Sequence, residues 1–264
     1  MNAIDGNRTP AEIYDALFVP ALFQQWGPIV AEAAGIKPGE NVLDVACGTG
    51  VLALAARERV GLKGTVVGLD ANADMLMVAS RKSTEIDWLE GKAEILPFMD
   101  QSFDAVVSQF GLMFFDDQPA AFREMMRVLK PGGRIAVAVC DALDHSPGYA
   151  AFARLLRKLF GERVAEAFRA PFVLGDAEKL LAITKAAGIS GAEVRQYTGS
   201  VRFASITSLV STERACVWTL GGILDDAQFD RLLKESETAL KPYIQKDSTI
   251  MFDMPALIVT ADKP

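Results

Sequence analysis

Apolar positions along the chain recur at two spacings, which predict strands followed by helices. Residues 42–46 form a short apolar run rich in β-branched side chains, which indicates a buried strand, and helical spacing follows over 51–60. The same order continues down the chain, with strands at 65–69, 86–89, 103–108 and 135–139 and helices at 73–82 and 118–129. Strands that alternate with helices are typical of a parallel sheet covered by helices.

The pattern is looser on both sides of this central region. Residues 11–34 carry two helical patterns separated at Pro20, and we expect helices to begin at Pro20 and at Pro28. After the central region, the spacing predicts helices at 149–168, 176–187, 206–219 and 226–241 and strands at 192–203 and 250–260.

The first strand ends in a glycine turn around which the chain is organised. Gly48 and Gly50 let the backbone pass close to a ligand, and the helix that follows offers free N–H groups to a negative group. Asp70 ends the next strand, about twenty residues further on, where an acidic residue commonly binds ribose hydroxyls. The glycine turn and Asp70 together predict a nucleoside-containing ligand. The spacing Gly48-x-Gly50-x-x-Ala53 also fits the dinucleotide pattern, so this stretch does not exclude NAD.

Three motifs resemble those of one enzyme class. V-L-D-V-A-C-G-T-G at 42–50 and G-L-D at 68–70 resemble the first motif and the second-strand acid of class I S-adenosylmethionine-dependent methyltransferases. The sequence is most similar to the small-molecule methyltransferases of ubiquinone and menaquinone biosynthesis, of which L-K-P-G-G-R-I at 129–135 is also typical. The resemblance is strong over 38–139 and weak on the flanks. It implies S-adenosylmethionine as cofactor, S-adenosylhomocysteine as product and a small, partly apolar metabolite as acceptor.

The resemblance also implies the architecture. We expect an α/β fold with a Rossmann-like, seven-stranded, mostly parallel sheet, helices on both faces and a terminal antiparallel hairpin. Two helical insertions would cover the mouth of the active site and set substrate choice. The expected units are an N-terminal helical cap (1–37), a cofactor-binding core (38–140), an insertion (141–175), a core helix and strand (176–204), a second insertion (205–246) and the last core strand (247–264).

Asp44 distinguishes between the two cofactors. A carboxylate in an apolar strand is costly to bury unless it is paired. Four residues before Gly48, it suits a ligand with an ammonium group, which S-adenosylmethionine has and NAD lacks.

The resemblance assigns further residues to the cofactor and the substrate. The expected cofactor-binding residues are Asp44, Ala46, Gly48, Gly50, Asp70, Ala71, Met75, Lys92, Ala93, Glu94 and Gln109. The expected substrate-pocket residues are Tyr14, Phe18, Trp26, Phe110 and Met113, with core packing as the alternative for the aromatic residues of the N-terminal helices. Lys92 stands where these enzymes usually have an acid that contacts the adenine amino group, so the backbone around Ala93 is expected to make that contact.

Methyl transfer from a sulfonium requires mainly proximity, orientation and a dry site, because the methyl group is already activated. His145, the sole histidine, follows the fifth strand and is the candidate general base for a phenol or enol acceptor. The alternative is a histidine in a surface loop. Asp141 and Tyr14 are further candidate proton acceptors. The acidic pairs at 116–117 and 225–226 are typical of helix caps and solvated loops, so no metal site is expected.

Composition narrows the partners and the compartment. The 264 residues, half of them hydrophobic, suffice for one domain with insertions or for two small domains. A formal net charge of −7 argues against a nucleic acid partner. Cys47, Cys140 and Cys216 have neither metal-ligand spacing nor a disulfide framework, which predicts a reducing cytoplasm. We expect no signal peptide and no membrane span.

Two other functions stay open at this point. An NAD(P)-dependent oxidoreductase is disfavoured by Asp44 and by the motif at 129–135. A non-catalytic S-adenosylmethionine-binding module is disfavoured by the intact Asp44, Gly48, Gly50 and Asp70. The substrate, the acceptor atom and the oligomeric state, for which a homodimer is one option, are not determined.

Overall fold

The computed structural model describes residues 8–216 and 219–264, and all structural statements below refer to these residues. Their strands form two sheets. The strands are β1 (Asn41–Val45), β2 (Thr65–Asp70), β3 (Asp87–Glu90), β4 (Phe103–Gln109), β5 (Leu129–Cys140), β6 (Glu193–Tyr197), β7 (Ser200–Phe203), β8 (Ile250–Asp253) and β9 (Ala256–Asp262). Residues 1–7 of the expected cap and 217–218 of the expected helix 206–219 lie outside the described residues.

The larger sheet has seven strands in the order β3-β2-β1-β4-β5-β9-β6. Strands β1 to β5 run parallel, and β9 runs antiparallel to both β5 and β6. Neighbouring side chains such as Val42 and Leu43 enter different core clusters, because residues alternate between the two faces of a strand. The predicted seven-stranded, mostly parallel sheet with an antiparallel pair at its end is therefore confirmed.

Helices cover both faces of this sheet. The helices Trp26–Ala33 and Val51–Val60 pack on the face that includes Val42, and the helices Gln118–Val128 and Ala177–Ala186 pack on the face that includes Leu43. The helices are α1 (Pro10–Ile13), a π-helix (Tyr14–Phe23), α2 (Trp26–Ala33), α3 (Val51–Val60), α4 (Ala73–Ser80), α5 (Gln118–Val128), α6 (Pro147–Phe160), α7 (Glu162–Arg169), α8 (Ala177–Ala186), α9 (Ile206–Ala215) and α10 (Asp226–Ala239). The hydrophobic core on the Val42 face continues beyond the sheet, where α6, α7, α9 and α10 contribute to it. None of the described helices is long and apolar enough to cross a membrane.

The expected break at Pro20 is wrong. Pro20 lies inside the π-helix, where the wider turn gives hydrogen bonds over five residues, such as that from the Gln24 N–H to the Val19 carbonyl at 2.8 Å. A proline lacks an N–H and crowds the carbonyl four residues before it in an α-helix, so the wider turn accommodates the ring. Pro28 lies in the first turn of α2, whose N–H groups have no partner within the helix.

The two strands predicted at 192–203 and 250–260 each divide in two. The pairing of Tyr197 with Ala256 in the large sheet and of Ser200 with Asp253 in the small sheet belongs to one unchanged register. A bend separates them at Gly199, where a Cβ atom would lie 2.2 Å from the Trp26 ring. Strands β7 and β8 thus leave the large sheet as a two-stranded ribbon.

Candidate active site

A cavity of about 450 Å³ opens where the parallel strands end. Asp70, Gln109 and Cys140, the last residues of β2, β4 and β5, line it together with Ala46, which follows β1. Ligands of open parallel sheets bind outside these strand ends, and the volume lies within the roughly 300–1,000 Å³ usual for ligand pockets. The topology therefore places the cavity where the glycine turn predicted a ligand.

The structure brings together most of the residues expected at the site. From the expected cofactor set, the cavity is lined by Ala46, Gly48, Asp70, Ala71, Met75, Lys92, Ala93, Glu94 and Gln109. From the expected substrate set, it is lined by Tyr14, Phe18, Phe110 and Met113. Residues expected from the sequence thus come from the ends of four strands and from the π-helix and surround one space.

Gly50 and Trp26 do not line the cavity. Gly50 has φ +89° and begins α3, and a Cβ there would lie 2.7 Å from the Trp88 ring, so it serves close packing of the turn. Trp26 is fully buried and packs edge-on against Phe110 with ring centroids 5.6 Å apart. Its expected place in the substrate pocket is wrong, and the core-packing alternative holds.

His145 is also outside the cavity. Its side chain is 56% exposed in a short 3-10 helix, and its Nδ1 lies 3.0 Å from Asp141 Oδ2. Asp141 is buried and also accepts hydrogen bonds from the Ala142 N–H and the Gln196 amide. The structure therefore places His145 away from the cavity, which favours the surface-loop alternative over the predicted general base, and Asp141 holds the histidine and the neighbouring backbone in place.

Asp44 has the burial that its position in β1 predicted, but no counter-charge. It is 0% exposed, and neither carboxylate oxygen has a hydrogen-bond partner among the described residues. Burial raises the pKa of Asp44 well above its usual value, the nearby Ala53 N–H offsets part of this without reaching hydrogen-bond geometry, and the Asp70 charge adds to it. Its side chain borders a small cavity of about 30 Å³ that shares Gly48 with the main one.

Asp70 is held in place by the glycine turn. Its Oδ2 accepts the Gly48 N–H at 2.8 Å, and its Oδ1 accepts the Asn72 N–H at 2.9 Å. Burial raises the pKa of Asp70, and these N–H groups oppose the rise. The carboxylate thus both fixes the turn and faces the cavity.

Charged residues form the rim of the cavity near β3. Lys92 Nζ lies 3.3 Å from Asp116 Oδ2, with both side chains exposed. Glu94 accepts the N–H groups of Asp116 and Asp117, which ties the rim segment to the start of α5. The lysine that departs from the family motif is therefore engaged with an acid across the rim.

Tyr14 lines the cavity from the π-helix, and its ring stacks on those of Phe18 and Phe23 at 6.0 and 5.4 Å. Burial raises the pKa of its hydroxyl far above the usual value, and the nearby Cys216 and Asp70 add to this. The raised pKa disfavours ionisation of Tyr14 and therefore disfavours its role as the proton acceptor considered above.

Sequence reasoning expected two insertions over the mouth of the active site but named none of the residues with which they line the wall opposite the strand ends. The helices after β5 and the bend before β9 contribute this wall, whose residues are Tyr149, Phe168, Pro171, Phe172, Glu213, Cys216, Thr219 and Met254. One signal was present. Glu213 occupies the position of α9 at which the spacing of Ile206, Leu209 and Val210 calls for an apolar residue.

The residues fit the cofactor implied by the sequence motifs. Asp44 offers an unpaired buried carboxylate to an ammonium group, and Gly48 has φ +54° and no atom within 4 Å of a Cβ position, which leaves room beside the turn. Fold and site together thus define a class, the S-adenosylmethionine-dependent methyltransferases.

Comparisons with known proteins identify the particular family. Residues 13–205 match the model of the ubiE/COQ5 methyltransferase family. A demethylmenaquinone methyltransferase of Staphylococcus carnosus is 34% identical over 207 residues, which cover 71% of this chain and 85% of that protein. The chain belongs to this family, so its cofactor is S-adenosylmethionine and its reaction is methyl transfer to a small metabolite. The alternative of an NAD(P)-dependent oxidoreductase is thereby set aside.

Other relatives match over shorter stretches or only in fold. A 2-phytyl-1,4-naphtoquinone methyltransferase of Synechocystis is 39% identical over half of this chain, and the match spans 56% of that protein's length. A solved putative methyltransferase of Bacillus halodurans has a TM-score of 0.61 at 21% identity, covering 90% of this chain and 98% of that one. A Haemonchus contortus N-methyltransferase has a TM-score of 0.60 at 21% identity, covering 97% and 58%. These two structures support the fold.

Proposed function

We propose that this protein methylates a hydroxylated aromatic metabolite of the quinol type. The observation that carries the proposal is a single cavity with two unlike halves. Asp70 lines it at the end of β2, and Asp44 of β1 borders the small cavity beside it, whereas the opposite wall consists largely of aromatic and aliphatic side chains. The names of the related demethylmenaquinone and phytyl-naphthoquinone methyltransferases point to the same class of acceptor.

The strand-end half would hold the cofactor. Asp44 would bind the ammonium group and Asp70 the ribose hydroxyls, since carboxylates form strong charge-assisted hydrogen bonds with such donors. The backbone at Lys92 and Ala93, which lines the cavity, would meet the adenine. When bound, S-adenosylmethionine supplies an activated methyl group on a sulfonium.

The opposite half would hold and orient the acceptor. Phe168 and Phe172 of the opposite wall line the cavity together with Phe23 and Phe110, and such aromatic linings exclude water and suit a flat aromatic ligand. Gln109 connects the two halves, because its Nε2 donates to the Phe23 carbonyl at 3.2 Å and thus ties the π-helix to the end of β4. Proximity and orientation in a dry site are what methyl transfer requires from the protein.

A pair of measurements tests the proposal. Calorimetric titrations with S-adenosylmethionine, S-adenosylhomocysteine and NAD should give micromolar binding for the first two and none for the third. Incubation with methyl-labelled S-adenosylmethionine and a panel of naphthols, hydroquinones, amines and carboxylic acids should label the hydroxylated aromatics. Cofactor binding with no labelled product from any acceptor would favour a non-catalytic binding module, and labelling of amines alone would overturn the acceptor class.

We also place the protein in the cytoplasm and treat it as acting on small molecules rather than nucleic acids. The formal net charge of −7 and the absence of clustered cysteines support this. Gel filtration beside fractionation of cell extracts would test both the compartment and the homodimer option.

A further inference from the structure

A polar cluster lies in the otherwise apolar wall of the acceptor half. Glu213 is 2% exposed and comes from α9, and Tyr149 is also 2% exposed and comes from α6. Thr219 Oγ1 lies 3.1 Å from Glu213 Oε2 and donates to it. All three line the cavity, so the carboxylate is buried from bulk solvent yet open to a ligand.

The Tyr149 hydroxyl is close enough to Glu213 to act on its ionisation, but it has no partner with hydrogen-bond geometry among the described residues. A buried hydroxyl without a partner costs free energy, and buried polar groups are normally satisfied. This hydroxyl is therefore available to form a hydrogen bond with a polar atom of a ligand in the cavity. Its ring is fixed edge-on against Phe168 and Phe252 at 5.5 and 5.0 Å.

No cation accompanies Glu213 in the described part of the cavity wall. Lys92, the one basic residue there, pairs with Asp116 at the rim. The other titratable groups on the wall around Glu213 are Tyr149 from α6, Cys140 from β5 and Cys216 after α9.

Two arginines on or near α9 are engaged elsewhere. Arg214 pairs with Asp226 of α10 and lies over the Phe229 ring. Arg202 of β7 pairs with Asp247 at 2.7 Å. Among the residues that the structure describes, no cation forms an ion pair with the Glu213 carboxylate.

We propose that Glu213 is the general base of the reaction and takes the proton from the hydroxyl of the acceptor, while Thr219 orients the carboxylate and Tyr149 binds the acceptor oxygen. The inference rests on the proposed function, since it assumes a hydroxylated acceptor. It assigns to α9, in the insertion, the role that the sequence suggested for His145.

The proton and electron balance is complete without another reactant. The acceptor's O–H bond breaks, the proton goes to Glu213, and the electron pair stays on the acceptor. The acceptor uses this pair, from oxygen or from a conjugated ring carbon, to bond the methyl carbon, and the sulfur keeps the electrons of the bond that breaks. Where carbon is the acceptor atom, the displaced ring proton then leaves to water.

The ionisation of Glu213 suits this task. Burial raises the pKa of Glu213 to about 7, and the nearby Tyr149 hydroxyl and the hydrogen bond from Thr219 limit this rise. A base with a pKa near the working pH combines a useful ionised fraction with affinity for the proton. At its usual value the carboxylate would be a weaker base.

The first test uses the pH dependence of single-turnover methyl transfer in wild type, Glu213→Gln, Glu213→Asp and the control Glu237→Gln, which changes an exposed glutamate of α10. The wild-type rate should rise about tenfold per pH unit below pH ~7 and then level, as expected for one ionisation. Glu213→Gln should be about 10²–10⁴-fold slower with no rise in this range. Glu213→Asp should recover part of the rate with the rise retained, and Glu237→Gln should match wild type.

The second test measures binding rather than turnover. Calorimetry on the protein loaded with S-adenosylhomocysteine would compare 1-naphthol, 1-methoxynaphthalene and 1-naphthylmethylamine. Wild type should prefer the naphthol over its methyl ether by about 10–100-fold, and both Glu213→Gln and Tyr149→Phe should narrow this preference. An amine that binds far more tightly than the naphthol would overturn the inference in favour of a counter-ion for a cationic acceptor.

The two proposals fail in different ways. Loss of S-adenosylhomocysteine binding in wild type would refute the proposed function itself. If Glu213→Gln binds S-adenosylhomocysteine as wild type does and retains both the rate and its pH profile, the protein is folded and only the assignment of Glu213 as base is refuted.

Discussion

Replacement of Asp44 by asparagine should raise the free energy of unfolding of the cofactor-free protein and lower its affinity for S-adenosylmethionine. The carboxylate is 0% exposed and neither oxygen has a hydrogen-bond partner among the described residues. Asparagine has nearly the same shape but no charge. A carboxylate kept for structure is expected to have partners in the empty protein, so this combination of effects distinguishes a binding role from a structural one.

The pH dependence follows from the raised pKa of Asp44, and the magnitude from the usual cost of an unsatisfied buried group. Because burial favours the protonated acid in the folded state, the folded protein binds more protons than the unfolded chain above pH ~4. Stability is therefore lost as the pH rises from ~4 towards the folded pKa, by up to ~1.4 kcal/mol per pH unit. The asparagine variant lacks this loss, so we expect it to gain about 1–3 kcal/mol at neutral pH and nothing near pH 4. Its affinity for S-adenosylmethionine should fall about 10–150-fold, since a hydrogen bond to a charged group contributes about 1.5–3 kcal/mol.

Denaturant unfolding from pH 4 to 8 and calorimetric titration with S-adenosylmethionine would measure the two effects. Asp104→Asn is the matched control, at the start of β4 rather than at a strand end. Partial burial raises the pKa of Asp104, but hydrogen bonds from Lys130 at 2.8 Å and from the Asn41 N–H at 2.9 Å outweigh this effect and lower the pKa overall. The control should lose stability at neutral pH and keep cofactor affinity. A destabilised Asp44→Asn protein, or one with wild-type affinity, would refute the assignment.

Three further variants give separate expectations. Asp70→Ala should weaken S-adenosylmethionine binding about 10–150-fold and also lower stability, because the Gly48 N–H loses its acceptor at 2.8 Å; unchanged affinity in a titration would show that Asp70 is misassigned. Gly68→Ala should lower the free energy of unfolding by about 1–3 kcal/mol, since a Cβ would lie 2.5 Å from the Trp88 ring, and a wild-type denaturation midpoint would contradict this packing. Glu213→Gln should exceed wild type in stability by about 2–3 kcal/mol at pH 8 and match it below pH ~4.5, because the raised pKa of Glu213 makes wild type lose stability between those pH values. Stability curves that run parallel for the two proteins would contradict the raised pKa.

The failures of sequence-based prediction share a physical cause. His145 was placed by its position after β5, but the direction of the chain beyond Cys140 takes it to the surface against Asp141. Trp26 has helical spacing that fits either a pocket or a core, and only its contact with Phe110 decides between them. Pro20 was expected to break a helix, yet a π-helix accommodates it. In each case several local conformations satisfy the same pattern, and packing selects one.

By itself, the sequence determined the central sheet and the cofactor half of the cavity. The strand, the glycine turn, Asp44 and Asp70 lie within thirty residues, and the ends of parallel strands must meet at one edge of the sheet. The tertiary structure alone decided the acceptor half. Tyr149, Glu213 and Met254 come from separate insertions and from the bend before β9, and they meet only because these segments fold back over the strand ends. Hydrophobic periodicity states which face of a helix is buried, but not which distant face covers it.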